Sequence, residues 1–312
     1  MSIKFKTFSI AWSVINTIWR DPSNRGERVK RLIFAVGWQF FKRMIGMPII
    51  LKLGNGTYYI AESKSGNATG AIYTRIYEAQ YISFIRDWLP RETPVALIDV
   101  GAHTGLYALW LSDLVASGIL FEPADDNRKL LERNIGINSL NNRFSIRSEA
   151  VSDNCGEVTF SVTGLFSGTN RIVESHVPAS ADIRREKPVS IRCQAVKLDD
   201  FLSSTASSPS LHLGLLKVDT EGHELQVLFG ARQLLVNNPS AMCLVENSDP
   251  LRIVRFFRSI GWAAFSISKE GAVCFDEGSM RSAYNLLAVG PCHPLNEIIR
   301  SPSAFEYSVF SI

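Results

Sequence analysis

Two short stretches of the chain concentrate groups able to do chemistry. The first is Leu97–Gly105 (LIDVGAHTG), an apolar run that carries Asp99 and then turns through Gly101, Ala102, His103, Thr104 and Gly105. The second is Lys217–Glu224 (KVDTEGHE), with three carboxylates, a lysine and a histidine in eight residues. A further acid, Glu122, follows Phe121, 23 residues after Asp99.

The glycine-containing turn ends a strand-like run and opens a helical one. In an open α/β sheet that is the carboxyl edge where a nucleotide-like ligand binds. Gly101 and Gly105 let the backbone turn tightly and approach a ligand. The dinucleotide fingerprint G-x-G-x-x-G is not met, because His103 stands where its middle glycine would be. Asp99 puts negative charge just before the turn, which disfavours a pyrophosphate and favours a ligand carrying an amine and a sulfonium. That combination points to S-adenosylmethionine rather than NAD. Glu122, at the end of the second strand, suits both hydroxyls of a ribose. Glu149 and Ala150, at the end of the third, would neighbour the adenine.

In the second stretch Lys217 and Asp219 share one face of a strand by period two. Glu221 follows in the turn, and Gly222 permits the sharp entry into the next helix. His223, Asp219 and Glu221 are candidate bases for deprotonating a hydroxyl, histidine being the natural one near neutral pH. Asp219, Glu246 and Asn247 would also make an oxygen ligand set for Mg²⁺. The acids are equally accounted for by bonds to Lys217 and to the unpaired amides at the helix start, so no metal is expected.

These residues need a scaffold, and the hydrophobic pattern supplies one. Strand-like runs at 95–100, 119–121, 144–150, 213–218, 241–245, 263–267 and 284–289 alternate with helical ones at 106–115, 126–138, 223–236 and 251–260. This is the signature of a doubly wound sheet. Between Val151 and Leu211 an excursion holds strand-like 158–162 and 189–196, a charged loop at 178–188 and a Ser-rich run at 203–210; a β-hairpin addition is expected there. Within it, Gly168-Thr169-Asn170 is a candidate substrate loop.

Upstream, 71–89 reads as one helix, with Tyr77-Glu78 either at the ligand entrance or on its surface. Residues 48–62 read as two strands about Gly54-Asn55-Gly56. Two helices precede them. The first carries Phe5, Phe8, Trp12, Ile15, Ile18 and Trp19; the second, 25–44, has Val29, Leu32, Ile33, Val36 and Phe40 on an apolar stripe.

With 46% hydrophobic and 20% charged residues, the 312-residue chain is of globular type. Residues 1–52 carry ten basic and two acidic side chains, a net +8, while the other 260 carry 23 and 28, a net −5. A basic arm suits an anionic partner. It either lies on a membrane surface through residues 1–52 or docks on the domain as a lid. Five cysteines without a C-x-x-C fit a reducing compartment. No run approaches the ~18 apolar residues of a span, and the expected location is cytoplasmic, with membrane association through the arm.

The motifs, taken together, resemble the FkbM family of S-adenosylmethionine-dependent methyltransferases. The similar segments are Ile98–Gly105, Phe121-Glu122-Pro123, Ala150–Phe160, Leu198–Leu202, Leu216–Leu225 and Gly230-Ala231, in matching order from about residue 70 to 290. The resemblance implies a class I methyltransferase (Rossmann-like) fold, a doubly wound seven-stranded sheet with the last strand antiparallel. It implies methyl transfer, usually to oxygen, often on sugars or secondary metabolites. The sequence departs from the family at His103, where asparagine is common, at Thr220, usually aliphatic, and at His223, usually small.

The expected organisation is an N-terminal helical and β extension (1–89), a methyltransferase domain (90–290) and a C-terminal tail (291–312). The expected acceptor is a small molecule or glycan hydroxyl, with nucleic acid unlikely. The alternatives are an RNA methyltransferase that uses the basic arm on phosphates, and a non-catalytic binding module.

Overall fold

The computed structural model describes residues 12–91, 94–162, 170–173, 189–204, 212–268 and 272–300. Phe5 and Phe8, the loop 178–188, the run 205–210, Gly168-Thr169 and the tail after 300 lie outside them.

The chain begins with α1 (12–20), a short 3-10 turn at Pro22–Asn24 and α2 (Arg28–Met44). A hairpin of β1 (Ile49–Lys52) and β2 (Tyr58–Ala61) follows, in register Ile49 to Ala61. The single helix expected at 71–89 is two: α3 (Gly66–Tyr73) and α4 (Ala79–Trp88). The break has a local cause. The Asn24 side chain donates to the Tyr73 carbonyl at 2.9 Å and accepts from Arg75 N–H at 2.9 Å, and Glu78 takes a left-handed φ of 45°.

The alternating part runs β3 (Ala96–Val100), α5 (Leu106–Leu111), β4 (Ser117–Phe121), α6 (Asp125–Ile137) and β5 (Phe144–Arg147). A small sheet then interrupts it: β6 (Ala150–Val151), β7 (Gly156–Val162), β8 (Arg171–Ile172) and β9 (Val189–Val196). After α7 (Leu198–Ser204) come β10 (Leu213–Val218), α8 (Glu224–Gly230), α9 (Arg232–Asn237), β11 (Met242–Glu246), α10 (Pro250–Ser259), β12 (Ala263–Ile267), β13 (Val273–Cys274), α11 (Glu277–Ser282), β14 (Asn285–Val289) and α12 (Pro294–Arg300).

The main sheet has the order β13-β12-β14-β11-β10-β3-β4-β5. Seven of these strands form the doubly wound arrangement the resemblance implies. β14, the last in sequence, is antiparallel to both its neighbours, β11 and β12. The eighth, β13, is a two-residue addition on the outer edge of β12. The order reverses at β3/β10, the switch point where such sheets bind ligands.

Period-two alternation sorts the strand residues into two cores. Leu97 and Leu215 join Phe84, Leu109 and Leu131 on one face; Ile98 and Leu216 join Leu228, Leu235 and Phe257 on the other. Ile18, Ala35, Trp38 and Tyr59 of the N-terminal segment are buried in the first of these.

Two further expectations are corrected. The strand expected over 144–150 splits after Arg147: β5 stays in the main sheet, while β6 leaves it to pair with β9. The helix expected over 223–236 breaks at Gly230-Ala231. A side chain at Gly230 would meet the Ser152 carbonyl at 2.1 Å, so only glycine lets the end of α8 pass this close to the excursion. The excursion is a hairpin as expected, with β7 antiparallel to β9.

Candidate active site

A cleft of about 270 Å³ opens at the carboxyl ends of β3, β4 and β10. Its floor is Val100, Gly101 and His103; Phe121, Glu122 and Asn127 line one wall, with Glu149 and Ala150 beyond. Asp219, Thr220 and Glu221 form the opposite wall, and Asn67, Tyr77 and Glu78 of the N-terminal segment close one side. Phe160, Asn170 and Ile172 reach it from the excursion, so the described end of the candidate substrate loop is at the cleft.

The turn after β3 is held from two directions. Gly101 and Ala102 N–H both donate to the Phe121 carbonyl at 3.0 Å. The hairpin clamps it from outside: Tyr59 Oη lies 2.9 Å from Thr104 Oγ1, and Asn134 accepts from Ile60 N–H and donates to the Thr104 carbonyl, both at 2.8 Å. Ala102 is buried below the floor, and Gly105, at φ 86°, begins α5 rather than lining the cleft.

Gly101 has φ 78°, and a Cβ there would stand 1.9 Å from the Asp219 carbonyl oxygen. Backbone meets backbone at this point, so neither side can yield cheaply. Gly101→Ala is expected to cost about 3 kcal/mol or more of stability, readable by chemical denaturation. A loss under about 1 kcal/mol would mean the two strand ends are not this close.

Glu122 is buried and lines the cleft. Its Oε2 accepts from His103 N–H and its Oε1 from Ala124 N–H, each at 2.9 Å. Burial pushes its carboxyl up to about 7, although those amides and Asn127 favour the ionised form. With two backbone amides and the Asn127 side chain already donating to it, the carboxylate still has acceptor capacity to offer a ribose hydroxyl. His103, at φ 51°, turns its Nδ1 toward Asn67 Nδ2 (3.3 Å) and Thr104 Oγ1 (3.2 Å). It therefore sits at the α3 side of the cleft.

Asp99 is not where its sequence role requires. It is 1% exposed, absent from the cleft wall, and 3.3 Å from Lys217 Nζ. Lys217 also pairs with Asp219 at 3.2 Å and lies 5.0 Å over the Tyr107 ring. Burial opposes the charge on Lys217, but Asp219, Asp99 and Glu78 outweigh it and hold the ammonium well above its ordinary value. Lys217 is thus a fixed cation that orients Asp219, and it is corrected from catalytic to positioning. The carboxylates on the cleft wall nearest Lys217 include instead Asp219, Glu221 and Glu78. Glu78, whose Oε2 accepts from Tyr107 Oη, is raised chiefly by burial.

His223 is likewise corrected. Its ring is buried, with Nε2 2.9 Å from Ser152 Oγ on the excursion side, and it does not line the cleft. The turn before it is organised by Glu224, to which the sequence assigned nothing. Glu224 Oε1 accepts from Thr220 N–H and Oγ1 at 2.9 Å and from Gly222 N–H at 3.0 Å, and Oε2 accepts from Ser248 Oγ.

Asp219, Glu221 and Glu246 gather ligand oxygens within 4.8 Å of one another. Glu246 Oε2 accepts from Glu221 N–H at 3.2 Å. Burial, then repulsion from Asp219, Glu221 and Glu224, pushes Glu246 up to about 8. The Asn247 amide nitrogen donates to the Met280 and Ala283 carbonyls at 2.7 and 2.9 Å, while its Oδ1 is buried and makes no hydrogen bond among the described residues. Glu149 pairs with Arg147 at 2.6 Å at the kink that ends β5. Among the described residues, three of the four non-glycine positions with positive φ are Glu78, His103 and Glu221, all at this cleft; such strain concentrates at functional sites.

A family model for the methyltransferase FkbM domain matches residues 99–260, just over half of the chain. The chain belongs to the FkbM methyltransferase family. The matched segment contains Asp99, the glycine turn, Glu122 and the Asp219–Glu221–Glu246 cluster. The FkbM chain is similar in structure to a SAM-dependent methyltransferase from Agrobacterium tumefaciens at 10% identity, over 79% of this chain and 71% of that one, with a TM-score of 0.44. It is also similar to an O-methyltransferase from Bacillus cereus in complex with SAH (11% identity, 68% and 79% covered, TM-score 0.37). A third likeness is to the O-methyltransferase TomG from Streptomyces achromogenes, in complex with SAM (10%, 68% and 79%, TM-score 0.36). No curated protein matches the sequence.

Proposed function

We propose that this FkbM methyltransferase moves a methyl group from S-adenosylmethionine to a hydroxyl of a sugar, glycan or secondary metabolite. Glu122 would hold the ribose, Glu149 and Ala150 would flank the adenine, and Asp219 with Glu78 would face the positive end. Bound there, the cofactor supplies a methyl activated by its sulfonium. The protein's part is alignment and proton removal.

The observation that carries the oxygen acceptor is the carboxylate cluster. Asp219 and Glu221 line the cleft, and Glu246 behind them retains its proton to about pH 8. A hydroxyl must lose its proton as the new bond forms, and a crowded set of acids accepts one readily. Asp219 touches the acceptor; Lys217 fixes its direction; Glu246 sets the pH at which the cluster empties.

Turnover of the wild type should therefore rise with pH through about 8, with EDTA present throughout. Asp219→Asn should lower kcat by about 10²–10⁴-fold. Glu246→Gln should leave substantial activity and flatten the profile above pH 6.5, since removing one acid lowers the proton affinity of the others. A radiolabelled methyl-transfer assay over fractionated glycans and metabolites reads all three. Label recovered only as N-methyl product, or a Glu246→Gln profile identical to wild type, would contradict the assignment. Salt-sensitive transfer to RNA would favour the basic-arm alternative instead.

A further inference from the structure

We propose that the outward face of α2 docks the protein peripherally on an anionic phospholipid surface. The proposal is independent of the methyl acceptor. It begins with an inversion. Most of the apolar stripe of α2 does not face the domain: Val29, Ile33, Val36, Phe40 and Met44 recur at three- and four-residue spacing and are 62–69% exposed, while Leu32 packs against the core. The residues turned inward are Ala35 and Trp38, Trp38 stacking on Phe41. The exposed apolar surface continues through Ile45, Met47 and Ile50 into the hairpin. Beside it an apolar groove of about 630 Å³ is lined by Ile33, Phe34, Gly37, Phe41 and Ile49, with Lys30 and Arg31 also bordering it. A contiguous patch of this kind marks an interaction surface.

Charge selects the partner. At about 100° per residue, Lys30 and Arg43 flank the stripe on either side, and Arg20, Arg25 and Lys52 are exposed nearby. Residues 1–52 hold only Asp21 and Glu27 as acids, whereas the rest of the chain is net negative. An apolar stripe edged with cations is the pattern of a helix lying in a headgroup layer, its hydrocarbon side chains inserted and its bases among the phosphates. Two copies meeting through this face would set like charges together, and a nucleic acid would leave the stripe in water. Among the described residues no helix is long and apolar enough to cross a membrane, so the contact is with one leaflet.

Flotation of the full chain with vesicles tests this. With roughly one-third phosphatidylglycerol, at least about ten times more protein should float than with phosphatidylcholine alone, and added salt should reduce it. Val36→Asp with Phe40→Asp should abolish flotation while the thermal melt and S-adenosylhomocysteine affinity stay unchanged. Lys30→Glu with Arg43→Glu should remove the preference for anionic lipid. No flotation of the wild type, equal flotation with neutral vesicles, or flotation unaffected by the aspartates would overturn the proposal. So would a wild-type dimer that the aspartates convert to a monomer, which would make the face an interface between copies.

Discussion

Lys217→Met is expected to destabilise the protein by about 3–5 kcal/mol, the range for removing one partner of a buried ion pair. Asp99 is the reason. It is 1% exposed, and Lys217 is the charge that faces it. Without the ammonium, a carboxylate remains in the sheet interior with the desolvation cost uncompensated. Burial already pushes Asp99 above its ordinary value with Lys217 present, so the single variant should take up a proton there. Asp99→Asn combined with Lys217→Met removes the buried charge and should recover most of the loss. Equilibrium denaturation of the wild type, the two single variants Lys217→Met and Asp99→Asn, and the double variant gives the comparison. A single-variant loss below about 1 kcal/mol, or no recovery in the double variant, would mean that this pair does not hold β3 to β10.

The largest effect on binding is expected at Glu122. Two hydrogen bonds from a ribose diol to a charged acceptor are each worth about 1.5–3 kcal/mol. Glu122→Gln keeps the volume and one amide contact but loses the charge and half of the acceptor capacity. S-adenosylhomocysteine affinity should fall about hundredfold, near 2.7 kcal/mol, in calorimetry at pH 8. The pH matters because the wild-type carboxyl is pushed up to about 7. Below that value Glu122 is protonated and the ligand must first displace the proton, so wild-type affinity should improve from pH 6 to pH 8 while the variant's stays level. Unchanged affinity in Glu122→Gln would remove Glu122 from the ribose site.

The parts of this account that depend on local spacing were legible from the sequence. The strand-turn-helix at Asp99–Gly105 and the period-two pairing of Lys217 with Asp219 both follow from neighbours in the chain, and Lys217 Nζ does lie 3.2 Å from Asp219. What depends on strand register was not. Asp99 faces Lys217 because β3 and β10 pair with those two residues in register, and nothing near either residue in sequence states which strands will be neighbours. His223 is drawn away from the cleft by Ser152, 71 positions earlier. Glu246 is the exception: the expected strand order places it beside Asp219, and β11 does lie beside β10. The α2 stripe shows a different limit. Its spacing is legible, but periodicity marks an apolar face without saying whether the protein or something outside it covers that face.

A crystal of the wild type soaked with S-adenosylhomocysteine tests the whole reading most directly. The account predicts ligand density in the cleft, with the ribose hydroxyls on Glu122, the adenine beside Glu149 and Ala150, and the sulfur toward Asp219. A well-ordered ligand bound elsewhere, or one lying in the cleft with its ribose away from Glu122, would contradict it.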